Sequence, residues 1–141
     1  ETNLARHPCV KEHVGIDAIN PITQTLSSNN FDIVIDCVGS EKTSSLSFET
    51  IKTGGVIINV GLQNWTSSIN IRKLTLEEIK LIGCYTYSME DFKSALKTIE
   101  SGKFGNLSWI KELPLSDANL AFRQLHDDRM SSAKVILKPH L

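Results

Sequence analysis

No stretch of this 141-residue chain approaches the roughly 18 consecutive apolar residues that a membrane-spanning helix needs. The first ten residues are polar, so no secretory leader is expected. Neither charge dominates: 15 Lys and Arg face 16 Asp and Glu. A net charge of -1 lacks the basic footprint of a nucleic-acid partner. The three cysteines, Cys9, Cys37 and Cys84, lie far apart and show no C-x-x-C spacing for zinc. They are expected to be reduced core cysteines of a cytoplasmic protein. Several catalytic signatures are also missing: G-x-S-x-G, H-E-x-x-H, the Walker sequence and G-x-G-x-x-G. His7, His13, His126 and His140 occupy polar stretches and read as surface residues, neither ligands nor catalysts. Two sequons, Asn64-Trp65-Thr66 and Asn106-Leu107-Ser108, have no secretory context and read as chance matches. There is no internal repeat or low-complexity linker. The first residue is Glu1 with no Met before it, which suggests a fragment or a processed product.

What is present is a globular composition, 40% hydrophobic and 22% charged, long enough for one domain with a sizeable core. Residues 3–14 predict a helix, with Asn3 as N-cap, Gly15 as its stop and a start near His7 if Pro8 is to be accommodated. Asp17–Asn20 predicts a short strand ending at Pro21. Phe31–Val38 is a near-continuous apolar, β-branched run, the pattern of a parallel strand buried on both faces. Ser40 caps a helix to about Ile51, which Gly54-Gly55 breaks. Val56–Val60 is a second buried strand, and Lys80–Tyr85 is a third strand of the set. Between them Ile69–Ile71 reads as extended, and Thr75 with Glu78 as a capping box. Ser88 and Asp91 open a helix whose apolar face is Phe92, Ala95, Leu96 and Ile99. Trp109–Leu113 is extended, Ser116 caps a helix presenting Ala118, Ala121, Phe122 and Leu125, and Lys134–Lys138 is a final strand. Strands alternating with helices over the first 85 residues give an α/β class with a parallel sheet.

In open sheets of this kind, ligands bind outside the carboxyl ends of the strands. Those ends are Cys37-Val38-Gly39, Val60-Gly61-Leu62 and Cys84-Tyr85-Thr86. Gly39 and Gly61 either let a flat ligand approach the backbone or simply turn the chain.

The run from Phe31 to Leu62, FDIVIDCVGSEKTSSLSFETIKTGGVIINVGL, resembles the second half of the cofactor domain of the medium-chain, zinc-type alcohol dehydrogenases. The shared pattern is a strand ending in D-x-x-G, a helix, G-G, and a strand ending in V-G. The likeness continues through LIGCYTYSMEDFKSALKTIESGK, LPLSDANLAF and AKVILKP, and so covers essentially the whole chain.

This resemblance implies a partial Rossmann-type doubly wound sheet, strands 3 to 6, over residues 1–85. Residues 86–141 would be the segment returning to a catalytic domain outside this chain. It implies an oxidoreductase that interconverts an alcohol or polyol and a carbonyl compound by hydride transfer, although the chain alone is expected to be inactive. Zinc-free quinone or enoyl reductases of the same superfamily, and a non-enzymatic α/β binding domain, are the alternatives. Glu1 would bind the adenosine ribose hydroxyls, favouring NAD over NADP. Arg6 would lie beside that ribose, unless it is only a helix-surface charge. Cys37, Val38 and Gly39 would pass the adenine and its ribose. Val60, Gly61 and Leu62 would flank the nicotinamide, and Cys84, Tyr85 and Thr86 would meet its carboxamide. Lys134 would reach the cofactor phosphates, unless it merely begins a strand. The family's glycine-rich turn and its zinc ligands have no counterpart here, so no catalytic or metal residue is assigned. The resemblance further implies a homodimer or higher homo-oligomer, pairing through the strand at Leu81–Tyr85. Strands 1 and 2 would separate strand 3 from strand 4, so strand 4 is expected to expose an apolar edge, leaving the chain alone marginal or prone to pair.

Overall fold

A computed structural model of the protein describes residues 1–105 and 107–140; Asn106 of the second sequon lies outside them. In chain order the elements are α1 (His7–Val14), β1 (Phe31–Asp36), α2 (Glu41–Thr50), β2 (Ile51–Asn59), α3 (Ile71–Leu76), β3 (Lys80–Gly83), α4 (Met89–Glu100), β4 (Ile110–Pro114), α5 (Ala118–His126) and β5 (Lys134–Lys138). They fall into two compact units, Leu26–Ser88 and Glu1–Thr25 with Met89–Leu141.

The unit Leu26–Ser88 is a three-stranded parallel sheet in the order β1-β2-β3. Its register places Val34 beside Ile57 and Ile57 beside Leu81, then Asp36 beside Asn59 and Asn59 beside Gly83. Side chains alternate between faces along a strand, so these residues share one face. Helix α2 covers it. The helix starts because the Ser40 hydroxyl accepts the Thr43 amide while the Thr43 hydroxyl accepts the Ser40 amide, satisfying two otherwise orphaned N–H groups. Phe48, Ile51, Ile57 and Ile79 form the core, with Val34 and Leu74 packed against it. Each large apolar side chain buried there stabilises the fold by roughly 1.5–3 kcal/mol.

The opposite face is open. Ile33 and Ile35 are 60% exposed and Ile82 is 48% exposed. The expectation that the first strand is buried on both faces is therefore corrected: its outward residues meet no cover, and β1 is an edge strand. That edge is apolar, as expected of strand 4.

Other expectations need correction. Asp17–Asn20 forms no strand. Asn20 instead builds a turn, its carbonyl accepting the amides of Thr23 and Gln24 and its side-chain oxygen that of Ile22. Gly54 and Gly55 do not end a helix; α2 stops at Thr50, and the glycines sit inside β2 at an irregularity where β2 takes five residues for two of β1. Ile69–Ile71 is not extended strand, and Thr75 is no cap. Asn70 caps α3 by accepting the Lys73 amide, and the Thr75 hydroxyl donates back to the Ile71 carbonyl. Cys37 and Cys84 are exposed and Cys9 half-buried, so none is a core residue, and all three are free. His7 and His13 are half-buried, and the His13 ring hydrogen-bonds the Ser108 hydroxyl at 3.2 Å.

In the second unit, Asn3 accepts the Ala5 amide at 2.9 Å and opens a 3-10 turn that runs into α1. Pro8 lies in the first turn of α1, where its missing N–H would have had no helical partner. Strands β4 and β5 pair in parallel from Ile110 with Lys134 to Pro114 with Lys138, and α5 between them buries Ala121. Ser116 does not cap α5; it lies in a 3-10 turn with its hydroxyl on the Asp117 carboxylate. The apolar stripe of α4 is half open, with Phe92 at 49% and Leu96 and Ile99 at 45% exposure.

Candidate functional site

Parallel strands deliver their carboxyl ends to one rim of the sheet, and two of those ends interlock here. The carbonyl of Asp36 accepts the amides of Val60 and Gly61 at 2.9 and 3.0 Å. Further along, the Val38 carbonyl accepts from Gln63 and the Gly39 carbonyl from Asn64, at 3.1 and 3.0 Å. The two turns are so close that a Cβ on Gly39 would overlap the Gly61 carbonyl, and one on Gly61 would overlap Val38. Gly39 also sits at φ +69°, where any other residue is strained.

Asp36 holds the crossing together. It is buried, and one carboxylate oxygen accepts the amides of Val38 and Gly39, each at 2.9 Å. The other accepts the Thr43 hydroxyl at 2.9 Å, tying the turn to the capped start of α2. Charge-assisted bonds of this kind are stronger than neutral ones. From the other side the Asn59 amide donates to the Gly61 carbonyl at 3.1 Å, and the Asn59 carbonyl accepts the Cys84 amide at 2.9 Å. The three strand ends are thus joined through β2.

Beside the crossing lies a cleft of about 330 Å3, with Gly39, Gly61, Leu62, Trp65, Ser67 and Gly83 among its lining residues. A Cβ on Gly83 would meet nothing within 4 Å, so that part of the rim is open. The Ser67 hydroxyl oxygen is buried without a hydrogen-bond partner among the described residues. Glycine backbones, one unpaired hydroxyl and apolar walls suit a flat ligand with polar edges.

A different arrangement occupies the other unit. The Glu1 carboxylate accepts the Asn3 amide at 2.8 Å and pairs with Arg6 at 3.6 Å. Arg6 also pairs with Asp128 at 3.1 Å. Burial of Glu1 pulls its pKa upward, but the Asn3 amide and the Arg6 charge outweigh it and hold the pKa below 4.5.

Of the residues singled out from sequence, Cys37, Val38 and Gly39 are brought against Val60, Gly61 and Leu62. Cys84 joins them through Asn59, while Tyr85 and Thr86 extend beyond, exposed, with Thr86 at φ +55°. Glu1 and Arg6 form an ion pair in the other unit, and Lys134 stands exposed at the start of β5. Asp36, Thr43, Asn59 and Ser67 were not singled out. The aspartate of D-x-x-G was the available signal, since a carboxylate two and three residues before free amides can cap the turn. Among the described residues, no group of three or more His, Cys, Asp or Glu could hold a metal. No helix among them is long and apolar enough to cross a membrane.

Comparison with known proteins gives this architecture a context. The model of the family described as zinc-binding dehydrogenase matches residues 7–101. Sorbitol dehydrogenase 1 of Saccharomyces cerevisiae is 30% identical over 87 residues, covering 62% of this chain and 24% of that protein. D-arabinose 1-dehydrogenase (NADP(+)) of Saccharolobus solfataricus is 31% identical over 118 residues, covering 84% of this chain and 32% of that one. The crystal structure of L-idonate 5-dehydrogenase from Escherichia coli superposes with a TM-score of 0.80 at 24% identity, over 97% of this chain and 41% of that chain. Acetophenone reductase from Geotrichum candidum, solved in complex with NAD, gives 0.83 at 19% identity over 97% and 39%. The fold is that of these dehydrogenases, and the chain spans a quarter to a third of the length of the two sequence relatives.

Proposed function

Because this chain belongs to the zinc-binding dehydrogenase family, its sequence matching over residues 7–101, we propose that it contributes the nicotinamide-cofactor surface of an oxidoreductase interconverting an alcohol or polyol and a carbonyl compound. The observation that carries this reading is the glycine crossing of residues 37–39 with 60–62 beside the open rim at Gly83. The relatives' names include a sorbitol and a D-arabinose dehydrogenase, which supports a polyhydroxylated substrate class.

When bound, the nicotinamide supplies the site that gives or takes hydride. The chain's own residues bind and orient. Val60, Gly61 and Leu62 would flank the ring, with backbone groups whose positions are fixed by Asp36 and Asn59. Cys84, Tyr85 and Thr86 would meet the carboxamide. Leu62 and Trp65, both exposed beside the cleft, would exclude water when a ligand covers them. Cys37, Val38 and Gly39 would pass the adenosine. Glu1 would accept hydrogen bonds from its ribose hydroxyls with Arg6 alongside, an arrangement that favours NAD over NADP. Lys134 would contact the phosphates.

On this reading residues 1–85 belong to the cofactor domain and residues 86–141 return to a catalytic domain. All four residues of β3 are exposed, which supports pairing of that edge with a second copy. The three free cysteines support a reducing, cytoplasmic setting.

The test is made on the full-length natural protein. NADH and NADPH are titrated by fluorescence, and NAD reduction is followed with sorbitol, xylitol and simple secondary alcohols. Saturable NADH binding with turnover of a polyol is expected. Absence of binding by either nucleotide would overturn the proposal.

A further inference from the structure

Arg6 is held by two carboxylates from opposite ends of the chain. Glu1 comes from the chain start, and Asp128 from the turn after α5, at 3.6 and 3.1 Å. The turn is fixed in place by Asn3, itself buried. The Asn3 side-chain amide donates to the Asp128 carbonyl at 2.9 Å, the Asp128 carboxylate at 3.3 Å and the Met130 carbonyl at 3.1 Å. Asp128 is therefore a built neighbour of Arg6, although its side chain is 57% exposed. The Arg6 Nε–H is buried without a hydrogen-bond partner among the described residues, so the guanidinium keeps an unused donor.

The consequence follows from charge. A lone guanidinium beside a ribose is a strong receptor for a 2′-phosphate, because its planar fork matches the phosphate oxygens. With two carboxylates around it the cluster carries a net charge of about -1, and each terminal nitrogen of the guanidinium faces a carboxylate. A 2′-phosphate would have to displace Asp128 and approach a second negative charge, whereas neutral ribose hydroxyls face neither penalty.

We propose that Asp128 is a cofactor-specificity residue, which closes the adenosine-ribose site to a 2′-phosphate by occupying Arg6. This rests on the reading that Glu1 and Arg6 face the ribose of a nicotinamide dinucleotide. It adds a determinant that lies far in sequence from both. The relatives' names show that both cofactor types occur among proteins similar to this chain, NADP(+) in one and NAD in another.

The experiment measures Kd for NADH and NADPH with the full-length natural protein and its variants. Asp128→Asn removes the charge but keeps the shape. Asparagine tolerates the φ of +57° found there, and its oxygen can still accept from Asn3. The ratio of NADPH Kd to NADH Kd is expected to fall about fivefold, the scale of one charged pair at a partly exposed site. Asp128→Ser is expected to move the ratio the same way. Asp127→Asn, whose carboxylate pairs with Arg129 instead, is expected to leave it unchanged. In an Arg6→Leu background Asp128→Asn is expected to lose its effect, since the cation it frees is gone. An unchanged ratio in both Asp128 variants, or an equal fall in Asp127→Asn, would overturn the inference while leaving dinucleotide binding intact. Failure of the parent protein to bind either nucleotide would instead overturn the underlying reading, and this inference with it.

Discussion

The two regions to which the proposed function assigns the cofactor are built by opposite means. The crossing of residues 37–39 with 60–62 is made of backbone, closed so tightly that neither glycine has room for a methyl group. The Glu1–Arg6–Asp128 cluster is made of charged side chains on a partly exposed surface. On the proposed reading the first would recognise shape, be indifferent to salt and tolerate almost no substitution. The second would recognise charge, be screened by salt and tolerate substitution with only a change of preference.

The largest effect should come from the backbone region. Gly61→Ala places a methyl group on Val38 and is expected to destabilise the protein by roughly 3 kcal/mol, the upper range for overpacking. Thermal unfolding checks it, and a Tm within about a degree of the parent's would mean the turns are looser than described.

Next is Asp36→Ala, which strands the Val38 and Gly39 amides and the Thr43 hydroxyl. A loss of about 2 kcal/mol is expected in denaturant titration. Thr43→Val keeps the volume and removes one donor, so about 1 kcal/mol is expected. If Thr43→Val equalled Asp36→Ala, the carboxylate would not be the centre of the network.

The smallest effect belongs to the charged region. The Glu1 pKa is depressed in the folded state, so its contribution is fully present above 4.5 and is lost as the pH falls below that value. Glu1→Gln should cost less than about 1 kcal/mol at neutral pH, and its difference from the parent should vanish in acid. A difference independent of pH would show that the carboxylate charge plays no part.

The parallel sheet was legible from three apolar runs, because a strand flanked on both sides must be apolar at nearly every position. The same logic misjudged the burial of β1. Ile33 and Ile35 have the composition of two-sided burial, but composition cannot say whether a second layer is present. The capping box at Ser40 was only half visible. Ser40 was identified, but Thr43 in the third position is a weaker signal than Glu or Gln and carries a second bond, to Asp36. The strand ends were located through their glycines. The residues that hold them, Asp36 and Asn59, were not: Asn59 bonds only backbone groups that no side-chain pattern marks, and the aspartate of D-x-x-G, though a usable signal for Asp36, does not announce its bond to Thr43. Asp128 was beyond reach for another reason: its partners, Arg6 and Asn3, lie at the other end of the chain.

The central claim is that the open rim beside the glycine crossing receives the nicotinamide cofactor. Gly83 offers the most direct test, because a side chain there meets nothing within 4 Å of its Cβ yet projects into the cleft. NADH affinity of full-length Gly83→Val should fall at least about tenfold, equivalent to 1.4 kcal/mol, with Tm unchanged. Undiminished NADH binding by a folded Gly83→Val protein would contradict the account.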